Sequence, residues 1–231
     1  MIKLIQFPRM FGLPNPSPFC IKVEVLLKMA GLAYECEFGD PRKGPKGKLP
    51  AIVDDGQVIG DSEIIRWHLE RKHGADFDKG LGATDRAIGH AFARMVEERT
   101  YWVMVYNRWI EDANWPILRD ALFAVIPGPL RGLIAPQIRR RVRRMLRAHG
   151  IGLHTRDEIY AMGAADVDAI ATELGTKPFL LGSEPTSVDA ALWPYIVGTL
   201  VPPFESPLKQ AIHRHPNLVD YSERMRARFF G

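Results

Sequence analysis

A helical pattern set between two short strand-like runs constrains this chain more than any other feature. Ile2 to Gln6 and Tyr34 to Phe38 both read as strands, and Pro18 to Ala30 between them reads as a helix closed by Gly31. An antiparallel return needs only a hairpin, so the intervening helix predicts a right-handed crossover joining two parallel strands. Ala51 to Asp54 and Gln57 to Ile59 follow as strands, and Asp55-Gly56 between them suits a two-residue hairpin turn. Asp61-Ser62 then opens a helix with apolar positions Ile64, Ile65, Trp67 and Leu69 that ends at Gly74. The order βαβ followed by ββα is the thioredoxin-like α/β arrangement.

Everything beyond reads as helix. The polar, glycine-bearing stretch 74–82 divides a domain at 1–75 from an all-α C-terminal domain at 83–231. Thr84 is expected to cap a long helix reaching about Glu111, prolines break the segment from Asn114 to Pro129, and further helices cover Thr155 to Leu174 and Pro216 to Phe230. Thr186-Ser187-Val188-Asp189 is a capping-box start, in which Asp189 reaches back to the cap's N–H. With 231 residues, 46% of them hydrophobic, the chain is long enough for one large domain or two small ones with separate cores.

A formal charge of +4 permits small anions but lacks the concentrated basic face, interleaved with aromatics, that nucleic acid requires. The arginines from Arg139 to Arg147 cover several faces of one helix. They read as a solvated, salt-bridged surface or as a contact for acidic lipid or an acidic partner. Two cysteines without pairing logic predict no disulfide and fit a reducing compartment; Cys36, alternating with Tyr34 and Phe38, reads as a buried core thiol. No Cys/His spacing suits a metal, and no window suits a signal peptide or membrane span, so cytoplasm is the expectation.

The chemistry is expected in Asn15-Pro16-Ser17-Pro18-Phe19-Cys20-Ile21-Lys22-Val23. Pro18 suits the first helical position, which makes Ser17 the N-cap, beside unpaired N–H groups and the positive end of the helix dipole. An anion fits there, and a thiolate is one such anion. With no histidine nearby to act as its base, Ser17 reads as a donor to another molecule's sulfur, or simply as a cap. Cys20, one turn further, reads as a packing residue, with a reactive thiol as the alternative. Tyr101, Trp102, Val105, Tyr106 and Trp109 recur at helical spacing, either as core or, for Tyr106, as the lining of an apolar pocket.

A thioredoxin-like half followed by a helical half resembles the cytosolic glutathione transferases, and four local motifs support the likeness. Ser17-Pro18-Phe19 is similar to the active-site turn of serine-type members. Leu49-Pro50 resembles the family's cis-proline turn, Asp61-Ser62 its γ-glutamyl grip, and Thr186-x-x-Asp189 its buried capping motif. Ser-Pro-Phe-Cys, Gly-Lys-Leu-Pro-Ala-Ile and Lys177-Pro-Phe-Leu-Leu-Gly look most like the failed-axon-connections and metaxin-like branch, some of whose members serve in transport or assembly instead of turnover.

The resemblance implies the glutathione transferase fold, a transferase that activates the glutathione thiolate for conjugation to, or reduction of, a hydrophobic electrophile, and a homodimer. It implies Ser17 as the thiolate donor and Leu49, Pro50, Asp61 and Ser62 as glutathione-binding residues, with Lys48 or Lys46 at the glycyl carboxylate. Phe19, Tyr106 and Trp109 are the implied co-substrate pocket. The alternative is a non-catalytic binding or assembly module on the same fold.

Overall fold

The computed structural model describes residues 1–124 and 126–231. The N-terminal domain carries β1 (Ile2–Gln6), α1 (Pro18–Met29), β2 (Tyr34–Phe38), β3 (Ala51–Asp54), β4 (Gln57–Gly60) and α2 (Ser62–His73) in the predicted order. The strands form one sheet, β2-β1-β3-β4, in which β1 and β2 are parallel and the other neighbours antiparallel. Asp55 and Gly56 both hold positive φ, at 48° and 80°, as the hairpin turn between β3 and β4 requires. Gly74 takes the left-handed conformation that ends α2.

The C-terminal domain is helical: α3 (Ala83–Met95), α4 (Tyr101–Trp109), α5 (Trp115–Leu122), α6 (Gly128–His149), α7 (Arg156–Leu174), α8 (Ser187–Leu200), α9 (Pro207–His213) and α10 (Pro216–Phe230). Gly82, and not Thr84, is the N-cap of α3. Nor is the stretch to Trp109 one continuous α-helix, since a π-helical turn, Val96–Thr100, joins α3 to α4 and turns Glu97 inward.

The expected capping box of α8 is present. The Asp189 carboxylate accepts hydrogen bonds from the Leu180 and Thr186 N–H groups at 2.9 and 2.8 Å, and from the hydroxyls of Thr186 and Tyr221. Because α8 is apolar on nearly every side, it can only be a central helix, and it packs directly on α1. One apolar cluster therefore runs without a break from Leu4, Val23 and Leu27 of the N-terminal domain to Val103, Ile170 and Trp193 of the C-terminal one. The two halves share this core instead of each closing its own.

Two surface expectations meet different outcomes. Cys36 is exposed, not a core thiol. The strand itself is real, but no layer covers either face of β2 from Glu35 to Phe38, and Phe38 is 62% exposed. Of the arginines on α6, Arg139 is drawn in: it donates to the Trp109 and Ile110 carbonyls and pairs with Asp112 at 2.7 Å, while Arg140, Arg141, Arg143, Arg144 and Arg147 stay exposed.

Candidate active site

Strand register brings the expected site residues to one edge of the sheet. Ala51 of β3 lies opposite Ile5 of β1, and Gly60 of β4 lies opposite Ala51, so the C-terminal end of β1, the start of β3 and the end of β4 are neighbours. Leu49-Pro50 leads into β3, Asp61-Ser62 follows β4, and the turn carrying Ser17 follows β1. The Leu49-Pro50 bond is cis, as the resemblance implies. Leu49 and Pro50 are buried; Lys48 is exposed on the loop before them. That loop is folded onto the same edge, since a β-carbon on Gly60 would meet the Pro45 ring at 3.2 Å.

Asn15 ties the Ser17 turn to the sheet. It is fully buried; its Nδ2 donates to the Phe7 carbonyl at 2.6 Å and to Gln6 Oε1 at 3.1 Å, while its Oδ1 accepts the Ser17 N–H at 3.1 Å. The bond two residues onward is an Asx turn. Gln6 passes the network on to Glu24, which also accepts from the Tyr34 hydroxyl at 3.0 Å. The direction of Ser17 is thus set by a buried polar chain reaching back through α1 to β2. Asn two residues before a helix cap is a readable Asx-turn signal, but its partner Gln6 is known only from the fold.

Ser17 caps α1 with its backbone: its carbonyl accepts from the Cys20 and Ile21 N–H groups at 3.1 and 3.2 Å, while its side chain makes no cap bond to the helix. The half-buried hydroxyl therefore stands at a helix N-terminus without bonding to the helix backbone, within hydrogen-bonding reach of the Cys20 thiol. Burial pushes that thiol up to about 12, against the lowering influence of the Ser17 side chain and the Phe7 backbone. Cys20 is accordingly a neutral packing group at physiological pH, in line with the first of its two readings.

At α2, Asp61 is the N-cap, with Oδ1 accepting from the Glu63 and Ile64 N–H groups at 3.0 and 3.3 Å. It holds a φ of 83°, which for a residue with a β-carbon costs about 1–3 kcal/mol and is kept only where the surroundings enforce it. Ser62 is buried in the first turn. The aromatic candidates diverge. Phe19 packs edge-on against Tyr101 at 5.1 Å and Tyr195 at 6.4 Å; Tyr106 meets Tyr160 at 6.0 Å, and Trp109 meets Trp115 at 5.7 Å.

Two groups that bind the domains together at this edge escape the sequence reading. Arg108 of α4 is buried and donates to the Pro16 carbonyl at 2.8 Å and to the Gly198 carbonyl at 2.7 Å. Lys22 of α1, 2% exposed, meets Glu63 of α2 at 2.7 Å and Glu97 of the π-helical turn at 2.8 Å. Arg66 and Arg94 complete that network; Arg94 pairs closely with Glu97. At the far end of α2, the Nε2 atoms of His68 and His73 lie 2.7 and 2.8 Å from Asp54 Oδ2. The Lys72 ammonium is 3.0 Å from the same oxygen, and these contacts clamp the β3–β4 hairpin to α2.

Comparison with known proteins supplies a family. Residues 18–114 match the family model described as glutathione S-transferase N-terminal domain, and residues 163–225 match the glutathione S-transferase C-terminal domain. Isoprene-epoxide glutathione S-transferase from Rhodococcus sp. (strain AD45) is 33% identical over 240 residues, covering 99% of each chain. Failed axon connections of Drosophila melanogaster is 32% identical over 100% of this chain, which spans 58% of that protein's length. Mouse metaxin-2 is 24% identical over 91% of this chain and 81% of its own. Among solved structures, glutathione transferase GSTFuA3 from Phanerochaete chrysosporium aligns with a TM-score of 0.67 at 17% identity, over 100% of this chain and 97% of that one.

Proposed function

Because the chain belongs to the glutathione S-transferase family, in the branch that includes Failed axon connections and the metaxins, we propose that it is an active transferase. In this reading it ionises glutathione for attack on a hydrophobic electrophile. The observation that carries the proposal is Ser17: a half-buried hydroxyl at the start of α1, not spent on capping the helix, on a turn fixed by Asn15. A free thiol with a pKa of about 8.5 is mostly protonated at neutral pH. One hydrogen bond to the charged sulfur plus the helix dipole supplies roughly 1–3 kcal/mol, or about one to two pKa units.

The rest of the tripeptide is held around that point. Leu49 offers its backbone to the cysteinyl unit beside Pro50. The Ser62 N–H and hydroxyl at the start of α2 receive the γ-glutamyl carboxylate, Asp61 pairs with the ammonium through the oxygen not bonded to Glu63 and Ile64, and Lys48 meets the glycyl carboxylate. Of the aromatic candidates, Phe19, two residues after Ser17, faces the electrophile, and the working unit is a homodimer. In turnover the thiolate sulfur forms a bond to the electrophilic carbon, and the electron pair leaves on the displaced or ring-opened group, which takes its proton from water. An epoxide, the substrate class for which the Rhodococcus relative is named, is an electrophile of this kind.

The test is Ser17→Ala with a small epoxide as second substrate. Turnover is expected to fall about 10-fold to 100-fold, matching the loss of one charge-assisted hydrogen bond, with glutathione affinity changed by less than about threefold. An unchanged rate would remove Ser17 from the mechanism. If the unaltered chain neither turns over nor retains glutathione, it is a binding module on the transferase fold.

A further inference from the structure

Arg108 is exceptional among the buried cations of this chain. Lys22, the other buried one, and the half-buried Arg66 and Arg94 each meet a carboxylate, whereas among the described residues Arg108 has no acidic partner. Its Nη1 and Nη2 donate to the neutral carbonyls of Pro16 and Gly198, and its Nε has no acceptor among the described residues. The guanidinium carbon is also 5.7 Å from the Phe204 ring centroid, and Tyr101 is the titratable side chain that acts on it. Gly198 makes room for it, since a β-carbon there would stand 3.2 Å from Nη2. Burial lowers its pKa to about 10, which leaves it charged at neutral pH. An unpaired buried charge is costly, and two carbonyls can be bridged by neutral donors, so cross-linking alone does not account for a guanidinium here.

What the charge faces is the active-site turn. Pro16 directly precedes Ser17, and the bonded path from its carbonyl oxygen to the serine hydroxyl spans at most about 5 Å. Added to the 2.8 Å hydrogen bond, this puts the guanidinium within about 8 Å of the Ser17 oxygen.

We infer that Arg108 is a positioning residue whose uncompensated charge is matched by the glutathione thiolate: it fixes the Ser17 turn through Pro16 and favours the anion bound there. The inference rests on glutathione binding beside Ser17 as proposed above. At about 10 Å and an effective dielectric near 20, a unit charge is worth about one pKa unit at the sulfur.

The experiment is ultraviolet titration of glutathione bound to the full chain, for the unaltered protein, Arg108→Lys and Arg108→Met. The Met variant is expected to raise the bound thiol's pKa by about one unit and to move the acidic limb of the kcat/KM profile with it. The Lys variant, which keeps the charge but cannot bridge both carbonyls, is expected to stay near the unaltered value even if less stable. A folded Met variant with an unchanged thiol pKa, or Lys and Met variants that raise it equally, would overturn the inference while leaving the transferase reading intact. An unaltered protein that binds no glutathione, or binds it without lowering the pKa, removes both.

A second measurement needs no variant. A buried guanidinium is poorly screened, so the lowered thiol pKa is expected to hold from roughly 50 mM to 1 M salt. A return to the free value at high salt would transfer the effect to exposed cations such as Lys46 and Lys48, and overturn the role given to Arg108.

Discussion

Ser17 and Cys20 lie three positions apart on one helix start, yet the structure gives them opposite chemistry. Ser17 keeps a half-open hydroxyl, while Cys20 is sealed and its thiol pushed up to about 12. A thiol-specific reagent at neutral pH is therefore expected to label Cys36, which is exposed, and to spare Cys20 until the chain unfolds; rapid labelling of Cys20 in the native protein, mapped by peptide mass, would reopen it as a reactive group. Ser17, Leu49-Pro50 and Asp61-Ser62 were legible because each carries a local signature: a cap before proline, an X-Pro turn, an acid at a helix start. Asn15 and Arg108 were not read as site residues, because their importance depends on Phe7, Gln6, Pro16 and Gly198, partners that only the fold brings to them. Cys36 misled for a related reason. Alternation marks the faces of a strand, but not whether another layer covers them.

At the scale of elements, α1 is held by its two neighbours through Lys22, which meets Glu63 of α2 and Glu97 of the π-helical turn. Burial pushes the Glu63 carboxyl up, but the Lys22 charge and hydrogen bond, with Arg66, outweigh it and hold the group at about 2. Its folded value lies below the ordinary 4.5, so the stability it contributes is present above about pH 4.5 and lost as pH falls toward about 2. Urea unfolding across this window is expected to show the unaltered protein losing roughly 1–2 kcal/mol of its advantage over Glu63→Gln, after allowance for screening on the open side of the carboxylate. A constant difference between the two proteins over that window would mean that the pair does not carry this term. The sequence supplied the elements themselves, because helix caps, the Asp-Gly hairpin and the apolar periods are local. It did not supply the π-helical turn, whose cause is tertiary: the extra residue turns Glu97 inward to Lys22.

At the scale of the molecule, the continuous core beneath α1 and α8 makes the two domains one mechanical unit, with the Ser17 turn pinned from the sheet side by Asn15 and from the helical side by Arg108. The sequence order predicted both halves, but a shared core requires knowing that α8, apolar on almost every side, lies against α1. The function proposed for this arrangement is to keep a bound thiol ionised at the start of α1. The most direct measurement is the ultraviolet titration of glutathione with and without a saturating amount of the protein. The account predicts an apparent thiol pKa about one to two units below the free value. A titration curve that overlays that of free glutathione, at concentrations where independent calorimetry shows the tripeptide bound, would contradict it.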